Sequence, residues 1–414
     1  MPNSGKRAVW IVLDGVGLEA LPDAKLYGDE EAATLPHVAM ACGGLNLPNL
    51  QRLGLGSLAE ITGVPPLASP CGAYGRLAER SAGKDSIVGH WELAGVVVDK
   101  PFATYPQGFP DELVDAFATI SGMQPLGNVP AGGISVLREY GAEHLRTGRP
   151  ILYTSVDSVL QVAAHEDVLP PHQLYHLCAE ARRLADEYDI ARVIARPFEG
   201  SEEEGFRRTP RRKDFAKPPP QKTLLEHLFE QKIEVSSVGK IDDLFAGRGI
   251  STSVATLDNV DGMSKTVTAL AALDEGLLVV NLIDFDMCYG HRRDAVGFGR
   301  ALEEFDAWLP ELYKQMRDDD LVIICADHGC DPTTEGSDHT REYVPLLAWS
   351  KSMATGVALG DRPSFADAGA TLAAYFDAGA ITTGESFLDL LGFCLPESVL
   401  QLSCSKITDT IVAG

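Results

Sequence analysis

The chain has 414 residues, 45% of them apolar and 23% charged, with 40 Gly and 25 Pro, a globular composition that excludes collagen, disorder and coiled coil. This length exceeds what one hydrophobic core usually serves and predicts a large domain with a second or inserted module. Lys plus Arg number 35 against 59 Asp plus Glu, a net charge of -24 that disfavours coating of nucleic acid or anionic membrane. An anionic substrate would need local cations or metals.

The first apolar run, Ala8 to Leu13, follows a basic start but is stopped by Asp14 after six residues, too short for a secretory signal. No apolar run approaches the ~18 residues of a membrane helix. The eight cysteines (Cys42, Cys71, Cys178, Cys288, Cys325, Cys330, Cys394 and Cys404) form no CxxC pair, and a reducing, cytoplasmic compartment is expected. Ala8 to Leu13 before Asp14, Leu277 to Ile283 before Asp284, and Leu321 to Ala326 before Asp327 read as buried parallel strands. Between the last two, Phe298, Leu302, Phe305, Leu309 and Leu312 recur at helical spacing over 295–316. Alternating strands and helices predict a doubly wound α/β domain, whose ligand site lies beyond the carboxyl ends of the strands. Asp14, Asp284, Asp286 and Asp327 are therefore expected to converge.

The middle of the chain differs. Residues 102–148 are rich in Pro and Gly, two short strands are predicted at 151–155 and 191–195, and Pro218-Pro219-Pro220 suits a linker. An inserted smaller α+β cap is expected at 101–217, leaving 1–100 and 218–414 as a discontinuous core. The one charge run, acidic Glu199 to Glu204 followed by basic Arg207 to Lys213, reads as a solvated loop or as an anion-facing arginine cluster.

Asp327-His328-Gly329 at a strand exit could hold a metal ion, and alone it is equally a turn. Ser337-Asp338-His339-Thr340 and the segment from Asp286 to His291 raise the count to three histidines (His291, His328, His339) and three aspartates (Asp14, Asp286, Asp327). That set is too large for one tetrahedral zinc and suits two ions clamping an in-line phosphoryl displacement. Carboxylate and imidazole without thiolate point to Mn²⁺ or Zn²⁺, with Cys288, Cys325 and Cys330 packing as small hydrophobes. Ser86, at the start of a helix-like stretch after Gly83-Lys84-Asp85, is the candidate nucleophile, or else an N-cap.

These segments, Asp14-Gly-Val-Gly17, Gly83-Lys-Asp-Ser-Ile-Val-Gly-His-Trp-Glu92, Tyr153-Thr-Ser-Val-Asp-Ser158, Gly239 to Gly247, Asp284-Phe-Asp-Met-Cys-Tyr-Gly-His-Arg-Arg-Asp294, Ala326-Asp-His-Gly-Cys-Asp-Pro332 and Asp338-His-Thr-Arg341, together resemble the bacterial phosphopentomutases of the alkaline phosphatase superfamily, in order over about residues 8–387. The resemblance implies an alkaline-phosphatase-like core with a cap, two Mn²⁺ ions per chain, a bisphosphorylated sugar as activating primer, and interconversion of ribose or deoxyribose 1-phosphate with the 5-phosphate. By the same resemblance Asp14, Asp327 and His328 would hold one ion with Ser86, while Asp286, His291 and His339 would hold the other. Ser155, Asp157, Arg196, Arg208 and Lys240 would contact the sugar phosphate. The family usually has threonine where this chain has Ser86, and most members end soon after a segment like Gly384-Glu-Ser-Phe387, whereas here residues 388–414 continue. Alternatives on the same core are a phosphomonoesterase, a phosphodiesterase or a phosphoglycerate mutase. A metal-stabilised binding protein is the reading from another class.

Overall fold

The computed structural model describes residues 5–155 and 158–393, so Asp157 and the segment 394–414 lie outside the described residues. The larger of two sheets runs in the order Thr252–Val254, Val235–Val238, Gly276–Leu282, Arg7–Leu13, Leu321–Cys325, Glu342–Trp349, Ala73–Leu77 and Val357–Arg362, and Glu19–Ala20 pairs with the sixth of these. The first five are mutually parallel, and Glu342–Trp349 runs against both of its neighbours. All seven residues of Arg7–Leu13 and of Gly276–Leu282 are buried, as continuous Val, Ile and Leu runs require when a parallel sheet is covered by helices. Those helices form two packed groups. Thr34–Cys42, Pro48–Leu53 and Asn259–Ala272 gather around the long Ala295–Gln315, whereas Ser86–Leu93, Leu224–Glu230 and Ile241–Leu244 associate with Ala366–Tyr375 or one another.

Register places the site. Leu13 pairs with Leu282 and Val12 with Cys325, so the chain leaves all three central strands at one edge of the sheet. Asp14 and Asp327 follow directly. The exit of Gly276–Leu282 continues into a wide π-helical turn, Phe285–Gly290, closed by the His291 amide donating to the Asp286 carbonyl at 3.0 Å. Such turns are uncommon and recur at functional sites.

The smaller sheet runs in the order Leu126–Pro130, Ile151–Thr154, Val159–His165, Arg192–Ser201 and Gly205–Arg208, with Lys213–Ala216 also pairing with Arg192–Ser201. Successive residues alternate between its two faces. Leu152, Val162 and Val193 join the helices Asp111–Ser121 and Pro171–Glu187, while Ile151, Tyr153 and Ala163 join Gly133–Thr147. Val159–His165 and Leu126–Pro130 were not among the predicted strands, because the surrounding Pro and Gly mask apolar runs too short to declare a period. The charged run expected as a loop folds back as antiparallel pairing, Phe198 opposite Arg208 and Ser201 opposite Gly205. Among the described residues no helix is long and apolar enough to cross a membrane, and the six described cysteines are free thiols.

One close approach joins fold to site. Helix Ser86–Leu93 lies so near the exit of Leu321–Cys325 that a Cβ on Gly89 would stand 2.0 Å from the Asp327 carbonyl oxygen. Gly89→Ala should therefore push the helix away and cost about 1–3 kcal/mol by overpacking. Chemical denaturation checks this, and wild-type stability would show that the helix moves without strain.

Candidate functional site

The strand exits bring six of the sequence-predicted residues together. Asp14, Asp327 and His328 form one group and Asp286, His328 and His339 another, with ligand atoms of each group within 4.8 Å of one another. His328 Nε2 lies 3.4 Å from Asp14 Oδ1 and 3.3 Å from Asp327 Oδ2, and Asp286 lies 3.4 Å from Nε2 of both His291 and His339. The histidine rings are oriented from behind. His328 Nδ1 donates to the Gly329 carbonyl at 2.9 Å and His291 Nδ1 to the Ser337 carbonyl at 2.6 Å, so each Nε2 faces the carboxylates.

Three carboxylates concentrated in a buried space demand positive charge. Burial would raise the Asp286 carboxyl, yet His339 and His291 hold it well below the ordinary range. Burial likewise opposes charge on His328, but Asp327 and Asp14 raise its pKa well above the usual histidine value. Asp14 Oδ1, Asp286 Oδ1 and Asp327 Oδ2 are buried and accept no hydrogen bond. Orphaned anionic oxygens facing histidine Nε2 atoms, which bind a metal once deprotonated, are the donor set of a divalent-cation site, and the residues present fit one.

Ser86 enters from the side. Asp85, not Ser86, caps the helix, its carboxylate accepting from the Ile87 and Val88 amides at 3.0 and 3.2 Å. The serine hydroxyl is thereby available, and its Oγ lies 3.0 Å from His328 Nε2.

Several residues to which the sequence assigned no role hold this geometry. Asn281 Nδ2 donates to Asp14 Oδ2 at 2.9 Å, and His90 Nδ1 stands 3.1 Å from Asp327 Oδ2. Glu92 accepts from the amides of Arg80 and Ser81 and from Ser364 Oγ. From the opposite side the Arg341 guanidinium donates to the carbonyls of Glu79, Ser81 and Gly83, at 2.9, 2.8 and 2.7 Å, and to the Glu79 carboxylate at 2.7 Å. The loop that delivers Ser86 is thus held by its amides on one side and its carbonyls on the other. Arg341 is two residues beyond His339, so the same clamp ties the serine to a candidate ligand loop.

The cleft above these groups is lined by Asp14, Ser86, Lys240, Asp286, His291 and His339 from the large sheet, and by Ser155, Gln161, Arg192, Arg196 and Arg212 from the small one. Of the residues expected to contact a sugar phosphate, Ser155, Arg196 and Lys240 line this cleft. Arg208 does not line it: it is exposed on Gly205–Arg208 and packs over Gly133. Pairing of Lys213 with Ala195 instead returns the chain so that Arg212 faces inward. No local signal separates the four arginines of 207–212, since only the distant strand partner decides which one faces the cleft.

The cleft cations are unequal. Burial lowers Arg196 to about 10, aided by Arg212, and its Nε donates to Gln161 Oε1 at 3.0 Å rather than to a carboxylate. Burial also lowers Lys240. Arg212 is bidentate with Asp214, both bonds 2.6 Å; burial would raise that carboxyl, but Arg212 and Arg192 bring it to about 2. A half-buried guanidinium bonded to an amide oxygen rather than to an acid is a seat for an anion.

Below the ligand loops, Glu342 accepts from the Thr34 amide at 2.8 Å and from the hydroxyls of Thr34 and Thr340 at 2.7 and 2.5 Å. Burial pushes its carboxyl up to about 7 against those bonds, from an ordinary 4.5. Between these values the folded chain holds a proton that the unfolded chain has released, so this group lowers stability as pH rises through the window. Glu342→Gln in chelated protein should flatten the fall in thermal midpoint between about pH 5 and about pH 7.5. An unaltered slope would assign the pH dependence elsewhere.

Comparison with known proteins agrees with this chemistry. Residues 6–379 match the Metalloenzyme superfamily. The chain is 58% identical to a phosphopentomutase of Syntrophotalea carbinolica over 93% of this chain and 98% of that protein. It is 51% identical to those of Acetivibrio thermocellus, over 92% and 99%, and of Dictyoglomus thermophilum, over 93% and 98%.

Proposed function

The chain belongs to the phosphopentomutase family, and we propose that it interconverts ribose or deoxyribose 1-phosphate with the 5-phosphate through a phosphorylated Ser86, an isomerase chemistry confined between the two sheets. The observation that carries the mechanism is Ser86 Oγ beside His328 Nε2, at the floor of a cleft whose roof is cationic. Asp14, Asp327 and His328 with Ser86 would hold one Mn²⁺, and Asp286, His291 and His339 the other. Two such ions, when bound, neutralise charge on the transferred phosphoryl group and favour the serine alkoxide.

The remaining work falls to the chain itself. Asp85 keeps Ser86 at the helix start, and Glu92 and Arg341 fix its loop against the ligand loops. In the first half-reaction a bisphosphorylated sugar would load the enzyme: the Ser86 oxygen bonds to phosphorus as the sugar–phosphate bond breaks, and the sugar oxygen takes up a proton. The phosphoserine would then give its group to the free hydroxyl of a pentose monophosphate, the serine–phosphorus bond breaking as the hydroxyl gives up its proton, and Ser86 would take the other phosphate of the resulting bisphosphate, releasing the isomeric monophosphate. Arg196, Arg212 and Lys240 would grip the phosphate that does not react. Ser155 would contact the sugar, and Asp157 is proposed beside it from sequence alone. A cap of residues 101–217 over a core of 1–100 and 218–414 would keep water from the phosphoserine, because transfer to a sugar hydroxyl competes with hydrolysis. The fields of distant acidic residues are screened over about 8 Å, so these local cations govern binding. A cytoplasmic setting suits free thiols and a sugar phosphate substrate.

Ser86→Ala should lower turnover by about a thousandfold or more and leave no phosphoryl group on the protein. Ser86→Thr, restoring the family's usual hydroxyl, should keep transfer. Mass spectrometry of enzyme loaded with ribose 1,5-bisphosphate reads this directly, and wild-type turnover in Ser86→Ala would remove the phosphoenzyme.

Arg196→Gln should raise KM for ribose 5-phosphate by roughly 10–150-fold, the equivalent of about 1.5–3 kcal/mol for a charged hydrogen bond. It should also increase the free phosphate released per pentose phosphate converted. An unchanged KM would move the phosphate seat away from Arg196. Wild-type protein that releases mainly free phosphate would favour the phosphatase reading instead.

A further inference from the structure

Cys330 was expected to pack as a small hydrophobe, and its near neighbour Cys325 does so, receiving the Trp10 indole N–H at 3.3 Å in the core. Cys330 sits elsewhere. It is 1% exposed, on the loop three residues beyond Asp327, and its Sγ lies within 4.8 Å of ligand atoms of both Asp286 and His291, which in turn lie within 4.8 Å of each other. The hydrogen bond from its thiol is a long one, 4.0 Å to the Asp338 carbonyl. Two glycines make room for it. A Cβ on Gly290 would stand 2.4 Å from Sγ, and one on Gly15 would stand 3.0 Å from the Cys330 Cβ. Asp286 Oδ1, at the centre of this group, is buried without a hydrogen bond.

Carboxylate and imidazole donors serve a hard ion such as Mn²⁺, which has little affinity for sulfur, whereas Zn²⁺ and Cd²⁺ take thiolate readily. Asp286 and His291 are the donors that stand within reach of this sulfur. We propose that Cys330 is a latent ligand of the Asp286 site, silent with Mn²⁺ and recruited by thiophilic divalent ions, which it holds together with Asp286 and His291. The Sγ–H bond breaks heterolytically, its electron pair forms the sulfur–metal bond, and the proton leaves to solvent, with no change of oxidation state. This inference rests on the reading of Asp286, His291 and His339 as cation ligands.

Metal-free full-length protein titrated with Cd²⁺ and, separately, Mn²⁺ tests it. Cd²⁺ should produce an ultraviolet thiolate-to-metal charge-transfer band that saturates with one thiolate per chain, and Mn²⁺ should produce none. Cys330→Ser should abolish the band and weaken Cd²⁺ by at least about tenfold in calorimetry while changing Mn²⁺ affinity far less. Cys288→Ser should keep the band, since that thiol points at Asp284 instead, 3.6 Å from Oδ1. Stoichiometric Cd²⁺ binding without the band, or a band that survives Cys330→Ser, overturns the assignment. Failure of both ions to bind, or binding that His339→Ala leaves unaltered, would instead overturn the cation-site reading on which it stands.

Discussion

The structure is organised around an electrostatic demand: three carboxylates, Asp14, Asp286 and Asp327, are buried at one edge of a parallel sheet with oxygens that accept no hydrogen bond. Isolated buried carboxylates would protonate or open to water. Here histidines close around them with Nε2 inward, and the surrounding backbone is shaped to keep the group together. The Asp14 amide donates to the Leu282 carbonyl at 3.1 Å and the Gly15 amide to Asp327 Oδ1 at 3.1 Å, so neighbouring strand exits are bonded to each other as well as to the site. A cation at this edge would satisfy oxygens, histidines and strand ends together, which links metal binding to local stability.

Positive charge is then distributed in two tiers. The lower tier is the candidate cation site, and the upper tier is the set Arg192, Arg196, Arg212 and Lys240. Asp214 answers part of the upper charge but leaves Arg196 with only an amide oxygen. Under the proposed function, a sugar phosphate with its reacting group at the serine and its other phosphate at the roof would span both tiers. A chain of net charge -24 would then draw an anion through these local cations.

What the sequence revealed follows from which constraints are local. Asp14 and Asp327 end apolar runs so continuous that burial in a parallel sheet was the simplest reading, and common strand polarity put them at the same edge. Asp286, His291 and His339 lay close to those exits in sequence and were legible for the same reason. Residues whose role depends on a distant partner were not. Glu92 matters through amides at 80 and 81 and through Ser364, Arg341 through carbonyls some 260 positions away, and Asn281 through Asp14 across two strands. Arg208 lies off the cleft lining for a related reason. The hairpin ending at Arg208 and the strand starting at Lys213 pair with the same neighbour, and only that pairing turns Arg212 inward.

The clamp around Ser86 bears on serine in place of the family's usual threonine. Losing the β-methyl frees χ1, and a nucleophile that wanders among rotamers spends less time in line. Yet the backbone beneath Ser86 has little freedom to add to that of the side chain. Its loop is bonded through alternate amides and carbonyls to Glu92 and Arg341, both buried. Its helix is seated against the Asp327 carbonyl at a glycine that tolerates no Cβ. His328 Nε2 adds a contact to Oγ itself. Under the proposed phosphoserine chemistry, positional precision that a threonine would hold partly in its own rotamer would be supplied by the scaffold, and serine would remove one restraint among several.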